Sequence, residues 1–220
     1  MAERQQKAVA KQEKVAISKR DPWALKKWYS AYAPSYLGGV FLAEIPASDP
    51  QKLPGRTLEV SLFDITKDIS HLPIKLKFQL ARVEGQKVYT RFKGLEITRD
   101  YLRSLVRRGT GKLTLTTEVH TKDGHLMRIT VVTVTTHRVG TGQKSAIRKK
   151  MGEVLSKRAG ELDLERFLKE ALEGALAAEL FMAGKKIAPL RKVEIAKIKM
   201  LKYPPEVEQI AVKEAATEAV

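Results

Sequence analysis

From Val40 onward, apolar and polar residues alternate in short runs bounded by Pro and Gly. Leu58, Val60 and Leu62 alternate with Thr57, Glu59 and Ser61, and Ile74, Leu76, Phe78 and Leu80 with Lys75, Lys77, Gln79 and Ala81. A period of two with one polar face predicts half-buried antiparallel strands. Glu84-Gly85-Gln86 turns the chain into a second run over 88–97, a hairpin. Over 98–108 the spacing becomes helical, with Thr98 as N-cap, Leu102, Leu105 and Val106 inward, and Gly109 as the stop. Strands over 112–120 and 125–138 follow, joined at Asp123-Gly124, a strong hairpin signal. The second is rich in Val and Thr.

After Gly140 to Gly142, a helix over 144–158 carries Ile147, Met151, Val154 and Leu155 on one stripe. Another runs from a cap at Asp163 to a stop at Gly184. In the last element, 188–201, Val193 and Ile195 lie on one phase and Ile198 and Met200 on the other. Such a slip needs one extra residue, so a β-bulge is expected near Ala196-Lys197. The prediction is an α+β fold: an antiparallel six- to seven-stranded β-barrel-like sheet with three helices. Residues 1–19 hold few apolar groups among many charges and are expected to be a basic extension, disordered until a partner such as RNA orders it. Residues 20–203 form the core domain, and 204–220 a short acidic tail.

Composition narrows the partner. The 220 residues are 43% apolar, enough for one core, and 41 Lys and Arg against 25 Asp and Glu give a net charge of +16. Such a balance favours a polyanion, with nucleic acid first and a membrane surface second. No run nears the roughly 18 apolar residues that span a bilayer, and the N-terminus lacks a signal peptide's apolar segment, so a soluble, cytoplasmic protein is expected. The absence of Cys excludes disulfides, thiolate catalysis and Cys-ligated zinc. Asparagine is absent too, which points to a thermophilic source.

The cations are clustered. Arg99, Arg103 and Arg107 stand at i, i+4 and i+8, a like-charge ladder. Asp100 can reach Arg103, while Arg107 and Arg108 have no acid nearby in the sequence. Arg148, Lys149 and Lys150 fan across roughly 200° of their helix at about 100° per residue. Lys157, Lys197, Lys199 and Lys202 extend the positive surface. Any one cluster fits a solvated face, whereas several of one sign in one domain fit phosphates. The stretch RDPWALKKWYSAYAPSY, residues 20 to 36, places Trp23, Trp28, Tyr29, Tyr32 and Tyr36 among Arg20, Lys26 and Lys27. Two readings stay open: the rings stack on unpaired bases while lysines take phosphates, or the rings cover an open end of the barrel as core.

Catalytic and metal signals are weak. His120 and His125 flank one hairpin turn, but His71 and His137 add no telling ligand spacing. Asp64 and Asp68 fall in a loop, Asp123 in a turn, and Glu59 and Glu96 stand isolated. Gly140-Thr141-Gly142 lacks the lysine and hydroxyl spacing of a phosphate-binding loop. The expectation is no enzyme, no metal, no cofactor, no membrane partner and no small-molecule substrate.

Six motifs, DPWALKKWY, GRTLEVSLFDI, FKGLEITRD, TKDGHLMR, AIRKKMGEV and IKMLKYP, give the chain a family resemblance over residues 20 to 205. In order and spacing they resemble the small-subunit ribosomal protein family shared by archaea and eukaryotes, called S-three-A-e or eukaryotic-type S-one. The early stop after IKMLKYPPEVEQ resembles archaeal members. The resemblance implies a β-barrel core with a basic N-terminal extension along ribosomal RNA. It also implies a place on the platform of the small subunit, near the 3′ end of its RNA and the messenger exit. Neighbouring platform proteins, and messenger RNA near that exit, are the further partners implied. RNA contact carries over to Lys26, Lys27, Trp28, Arg99, Arg148, Lys149, Lys150, Lys199 and Lys202. For Arg103, Arg107, Arg108, Lys157 and Lys197, and for Arg4, Lys7, Lys11, Lys14, Lys19 and Arg20 in the extension, charge alone argues. The expected function is a structural constituent of the small ribosomal subunit; the alternative is an RNA chaperone or messenger-leader binder acting off the ribosome.

Overall fold

A computed structural model describes Trp23 and residues 26–204. Eight strands and five α-helices lie among them, arranged in two compact units. One unit comprises the described residues up to Arg56 together with Gln79–Arg91, and the other Thr57–Phe78 and the described residues from Phe92 onward.

In the first unit, β1 (Lys27–Tyr32) pairs antiparallel with β2 (Phe41–Ala47), and one extra residue of β2 is bulged out between Ala43 and Phe41. The first half of β5 (Lys87–Ile97) runs parallel to β1, Tyr32 opposite Tyr89. The Thr90 hydroxyl donates to the Tyr32 carbonyl at 2.8 Å and ties the two together. Tyr29, Ala31, Ala33, Ala47, Leu53, Leu80 and Val88 bury the inner side.

β4 (Ile74–Glu84) and β5 form the expected hairpin, turning at Gly85 with φ of 59°. In the second unit β3 (Thr57–Ser61) pairs with β4, and α1 (Leu62–Thr66) starts from Ser61, whose hydroxyl accepts from the Phe63 amide at 3.3 Å. α2 spans Arg99–Leu105. β6 (Lys112–His120), β7 (Leu126–Thr135) and β8 (Leu190–Lys202) are antiparallel, with β7 between the other two. That central place explains the Val and Thr: Val131 to Thr135 are all buried. α3 (Thr141–Glu161), α4 (Leu164–Glu173) and α5 (Ala175–Lys185) supply Ile147, Met151, Leu155, Phe167, Leu168, Leu176 and Leu180 to the core. Burying side chains of this size contributes about 1.5–3 kcal/mol each.

The expected bulge is present. Thr130 faces Lys197 while Val131 faces Ile195, so Ala196 is the extra residue. The α+β class also holds, but several expectations are corrected. The aromatic segment after residue 26, unassigned from periodicity, is strand β1, which brings the strands to eight. Its pairing with β5 is parallel, so the sheet is not wholly antiparallel. The hydrogen-bonded order β2-β1-β5-β8-β7-β6 does not join β2 to β6 among the described residues, so the sheet is open.

The helices differ as well. The helix expected over 163–184 is broken at Gly174, whose φ of 83° a residue with a side chain rarely adopts. The helix expected over 98–108 stops at Leu105, and Val106 is extended and 36% exposed. A local turn competes with its continuation: the Thr110 hydroxyl donates to the Arg107 carbonyl at 2.6 Å and accepts from the Arg107 amide at 3.1 Å. Arg107 therefore lies outside the helix, and the like-charge ladder shrinks to Arg99 and Arg103. The helices number five among the described residues because of the Gly174 break and the short α1.

The α4 N-terminus is capped from a distance. Asp163 makes no side-chain capping bond there; the Leu164 amide donates instead to Asp123 Oδ2 at 2.8 Å, from the β6–β7 turn. The Lys122 amide donates to the Leu162 carbonyl at 3.2 Å beside it. Changing Asp123 to Ala is expected to cost about 1 kcal/mol, as loss of an N-cap does. Thermal melting should then fall by roughly 2–4 °C for a chain of this size.

Candidate nucleic-acid interface

α2 is held by its Tyr101. The Tyr101 hydroxyl donates to Glu194 Oε1 at 3.1 Å and accepts from Lys192 Nζ at 2.6 Å. The Tyr101 hydroxyl first, and Glu194 second, raise the Lys192 pKa above its ordinary value. At about 100° per residue, Arg99 and Arg103 each lie near 200° from Tyr101, on the helix side turned away from β8. Both are exposed, as are Arg107 and Arg108 in the following turn. None of the four forms an ion pair among the described residues. Sequence proximity suggested Asp100 for Arg103; the structure does not pair them.

The α3 cations are divided. Arg148 Nε donates to the Thr114 carbonyl at 3.2 Å, and Lys150 Nζ meets Glu153 Oε2 at 3.1 Å. Lys149 and Lys157 are exposed, without an ion pair among the described residues.

On β8, Lys197 is already neutralised. It lies 3.3 Å from Glu96 Oε2, which also takes Lys77 Nζ at 3.0 Å, and Lys77 reaches Glu59 Oε1 at 2.7 Å. The expectation that Glu59 and Glu96 stand isolated is thus corrected: Lys77 bridges them. Its hydrogen bond lowers the Glu96 pKa, and the bonds to Glu59 and Glu96 raise that of Lys77. Lys199 stands beside Arg128 in the ladder, whose guanidinium is held by Glu118 at 2.6 Å. Lys199 and Lys202 themselves are exposed.

Of the aromatic segment, Tyr29 is core at 5% exposure, Tyr32 and Tyr36 are half-buried, and Trp23 and Trp28 are 58% and 57% exposed. Lys26 Nζ sits 3.5 Å from the Trp23 ring centroid, a cation–π contact. The core reading therefore holds for Tyr29, whereas Trp23 and Trp28 present exposed rings. Arg4, Lys7, Lys11, Lys14, Lys19 and Arg20 lie outside the described residues. Phe41 and Tyr89, 49% and 42% exposed, were not singled out by the sequence reading. For Tyr89 the signal was available, an aromatic on the phase of Lys87, Arg91 and Lys93; Phe41 shares its sequence phase with Ala43 and Ile45, and only the bulge after it turns it to the open side.

The histidines do not converge. His71 Nδ1 lies 2.9 Å from the Thr66 hydroxyl, His120 and His137 are exposed, and no metal-binding group of three His, Asp or Glu forms among the described residues. No helix among them is long and apolar enough to cross a membrane.

His125 is 8% exposed, edge-on to Tyr203 at 6.0 Å, and its Nδ1 has no hydrogen-bond partner among the described residues. Burial pushes its pKa below the ordinary value, against the opposing pull of Asp123. The unfolded chain binds this proton near pH 6.5 and the folded one resists it, so stability falls as pH drops below about 6.5. The urea midpoint should fall between pH 7.5 and 5, and by less in His125→Phe.

An open α+β sheet bearing exposed cations without internal counterions defines a basic class of protein with surfaces suited to polyanions. Within that class, the chain belongs to the Ribosomal S3Ae family, which residues 14–204 match. It is 76% identical over 218 residues to the small ribosomal subunit protein eS1 of Pyrobaculum aerophilum, covering 99% of this chain and 98% of that one. The eS1 protein of Pyrobaculum islandicum is 72% identical, over 98% and 97% of the two chains. That of Aeropyrum pernix is 48% identical, over 84% and 88%. The family is a ribosomal one and not a family of enzymes, and these relatives are archaeal, as the motif resemblance implied.

Proposed function

We propose that this protein is a structural constituent of the cytoplasmic small ribosomal subunit and binds its ribosomal RNA through phosphate-directed cations. The observation that carries the RNA contact is the exposed set Arg99, Arg103, Arg107 and Arg108, which has no acidic partner among the described residues. Arg99 and Arg103, at i and i+4 of one helix, repel at a cost of a few tenths of a kcal/mol in the free protein, and a phosphate backbone removes that cost. Lys149, Lys157, Lys199 and Lys202 extend the contact, with Lys26, Lys27 and Trp28 from the first unit. Arg148, Lys150 and Lys197 have internal partners and exchange them for phosphate on binding.

Residues 1–19 are the extension ordered by RNA, carrying Arg4, Lys7, Lys11, Lys14 and Lys19, with Arg20 at its end. Nineteen residues reach some 60 Å at most, at roughly 3.3 Å each. Residues 20–203 are the core and 204–220 the acidic tail. The site is the platform, near the 3′ end of the RNA and the messenger exit, beside other platform proteins and with messenger RNA at the exit.

Sedimentation of a native extract tests this. Co-migration with small subunits through a high-salt wash is expected, and a free pool overturns the proposal. Deleting residues 1–19 should leave the melting of free protein nearly unchanged and impair subunit assembly. Hydroxyl-radical protection of the RNA, with and without the protein, maps the contact.

A further inference from the structure

The first unit carries a surface of a different kind. Directly paired residues in a ladder share one face of a sheet. The register Trp28 to Pro46, Tyr32 to Phe41, Ser30 to Lys87 and Tyr32 to Tyr89 therefore sets Trp28, Tyr32, Phe41, Lys87 and Tyr89 on the same side of three adjacent strands. Tyr29, Ala31 and Val88, on the alternate phase, form the buried side.

Folding alone does not call for rings on the open side. An antiparallel or mixed sheet with one solvated face normally carries polar residues there, and clustered exposed aromatic residues mark an interaction surface. Here Trp28, Phe41 and Tyr89 are 57%, 49% and 42% exposed. Tyr32 and Phe41 meet edge to face with centroids 6.1 Å apart, and Lys87 Nζ lies 5.9 Å from the Tyr32 ring. Tyr32, Pro34, Lys87 and Tyr89 line a cavity of about 480 Å³, within the range of small-ligand sites.

We propose that this face is a stacking platform for an unpaired stretch of ribosomal RNA. Bases lie on the rings of Tyr32, Phe41 and Tyr89, and Lys87 takes the phosphate between them. Every base offers a π-face, and aromatic side chains interleaved with cations on an open sheet suit single strands. Charge complementarity favours RNA over an apolar protein segment. Lys87 is on the face with one acid, Glu44 opposite Ser30, and Lys26 stands two residues before Trp28 in the same unit of a chain whose net charge is +16. The inference rests on the ribosomal RNA reading above and adds to it a mode of contact that the arginines of α2 do not supply.

The test titrates the purified full chain with a uridylate decamer and with a blunt RNA duplex. Phe41→Ala and Tyr89→Ala are each expected to weaken decamer binding roughly tenfold, the usual scale for losing one stacked base. Duplex affinity should stay within about twofold, since a duplex offers phosphates and no free faces. Tyr89→Trp, which keeps a ring, should bind the decamer as the parent does, and Lys87→Gln should flatten the decamer's salt slope by about 0.7. Ultraviolet irradiation of assembled subunits should link residues 87–91 or 27–32 to ribosomal RNA. Decamer affinity unchanged in both ring variants, an equal loss on duplex, or crosslinks to messenger RNA or to a protein instead overturns the platform. A protein that stays with salt-washed subunits while its ring variants bind the decamer normally leaves the ribosomal reading standing and removes this one. A free pool in sedimentation removes the ribosomal reading itself.

Discussion

Gly94→Ala is expected to lower stability by about 3 kcal/mol, the upper part of the range for overpacking a closed site, and to lower the melting temperature by roughly 6–12 °C. Gly94 lies in β5 opposite Lys199 of β8, and a Cβ placed there would stand 2.5 Å from the Ile198 carbonyl oxygen. That oxygen is backbone, so no rotamer change relieves the clash; the strands must separate. Two residues on, Glu96 faces Lys197 and takes both Lys197 and Lys77, so separation would also disturb that ion cluster. Gly152→Ala is the matched control. Gly152 is inside α3 with nothing within 4 Å of its added methyl, so the same change should raise stability by about 0.5–1 kcal/mol. Calorimetry on the two variants gives opposite signs if close strand approach, and not glycine content, sets the requirement. A melting temperature for Gly94→Ala within 2 °C of the parent would refute it.

That glycine also shows where reading the sequence stops. FKGLEITRD was visible as a motif and as a strand, and an isolated glycine in a strand signals close approach of another backbone. Which backbone approaches depends on β8, more than a hundred residues later, and no local pattern encodes it. Local features were legible for a physical reason. The β4–β5 and β6–β7 hairpins need only alternation and a turn residue, and the bulge at Ala196 follows from a slip of phase within one strand. The α3 stripe is equally local. By contrast, Leu164, Phe167, Leu168, Ala171, Leu172, Ala175, Leu176 and Leu180 keep helical spacing on through Gly174, so periodicity hid a break that only the positive φ reveals.

The parallel β1–β5 pair was invisible because residues 33–86 separate its strands. The aromatic content of β1 also suggested a binding segment before a strand. It is a strand whose one phase is core and whose other is exposed rings. Legibility of the candidate site followed the same division. The clustering of cations was plain in the sequence, while their pairing was not. Lys197 and Glu96 are hydrogen-bond neighbours across β8 and β5, which sequence distance concealed, and Arg103 does not use the acid three residues before it.

Replacing Arg99, Arg103, Arg107 and Arg108 together by Gln separates those two kinds of charge. In the free protein these side chains lie exposed, outside the core and without ion pairs among the described residues, so removing them breaks no salt bridge there. Relief of the Arg99–Arg103 repulsion at i, i+4 contributes a few tenths of a kcal/mol in favour of folding, so melting should hold or rise slightly. Binding to small-subunit RNA should move the other way. If all four meet phosphates of helical RNA, the slope of log K against log salt becomes shallower by about 3.6, at near 0.9 for each contact as on duplex DNA. Affinity at moderate salt should fall on the order of a hundredfold or more. Lys197→Gln is the counter-case: it takes a cation from Glu96, leaves Lys77 in place, and should change the slope by less than one phosphate contact does. An unchanged slope in the quadruple variant would mean that these arginines face solvent in the bound state. A sharp drop in its melting temperature would mean that they hold the fold.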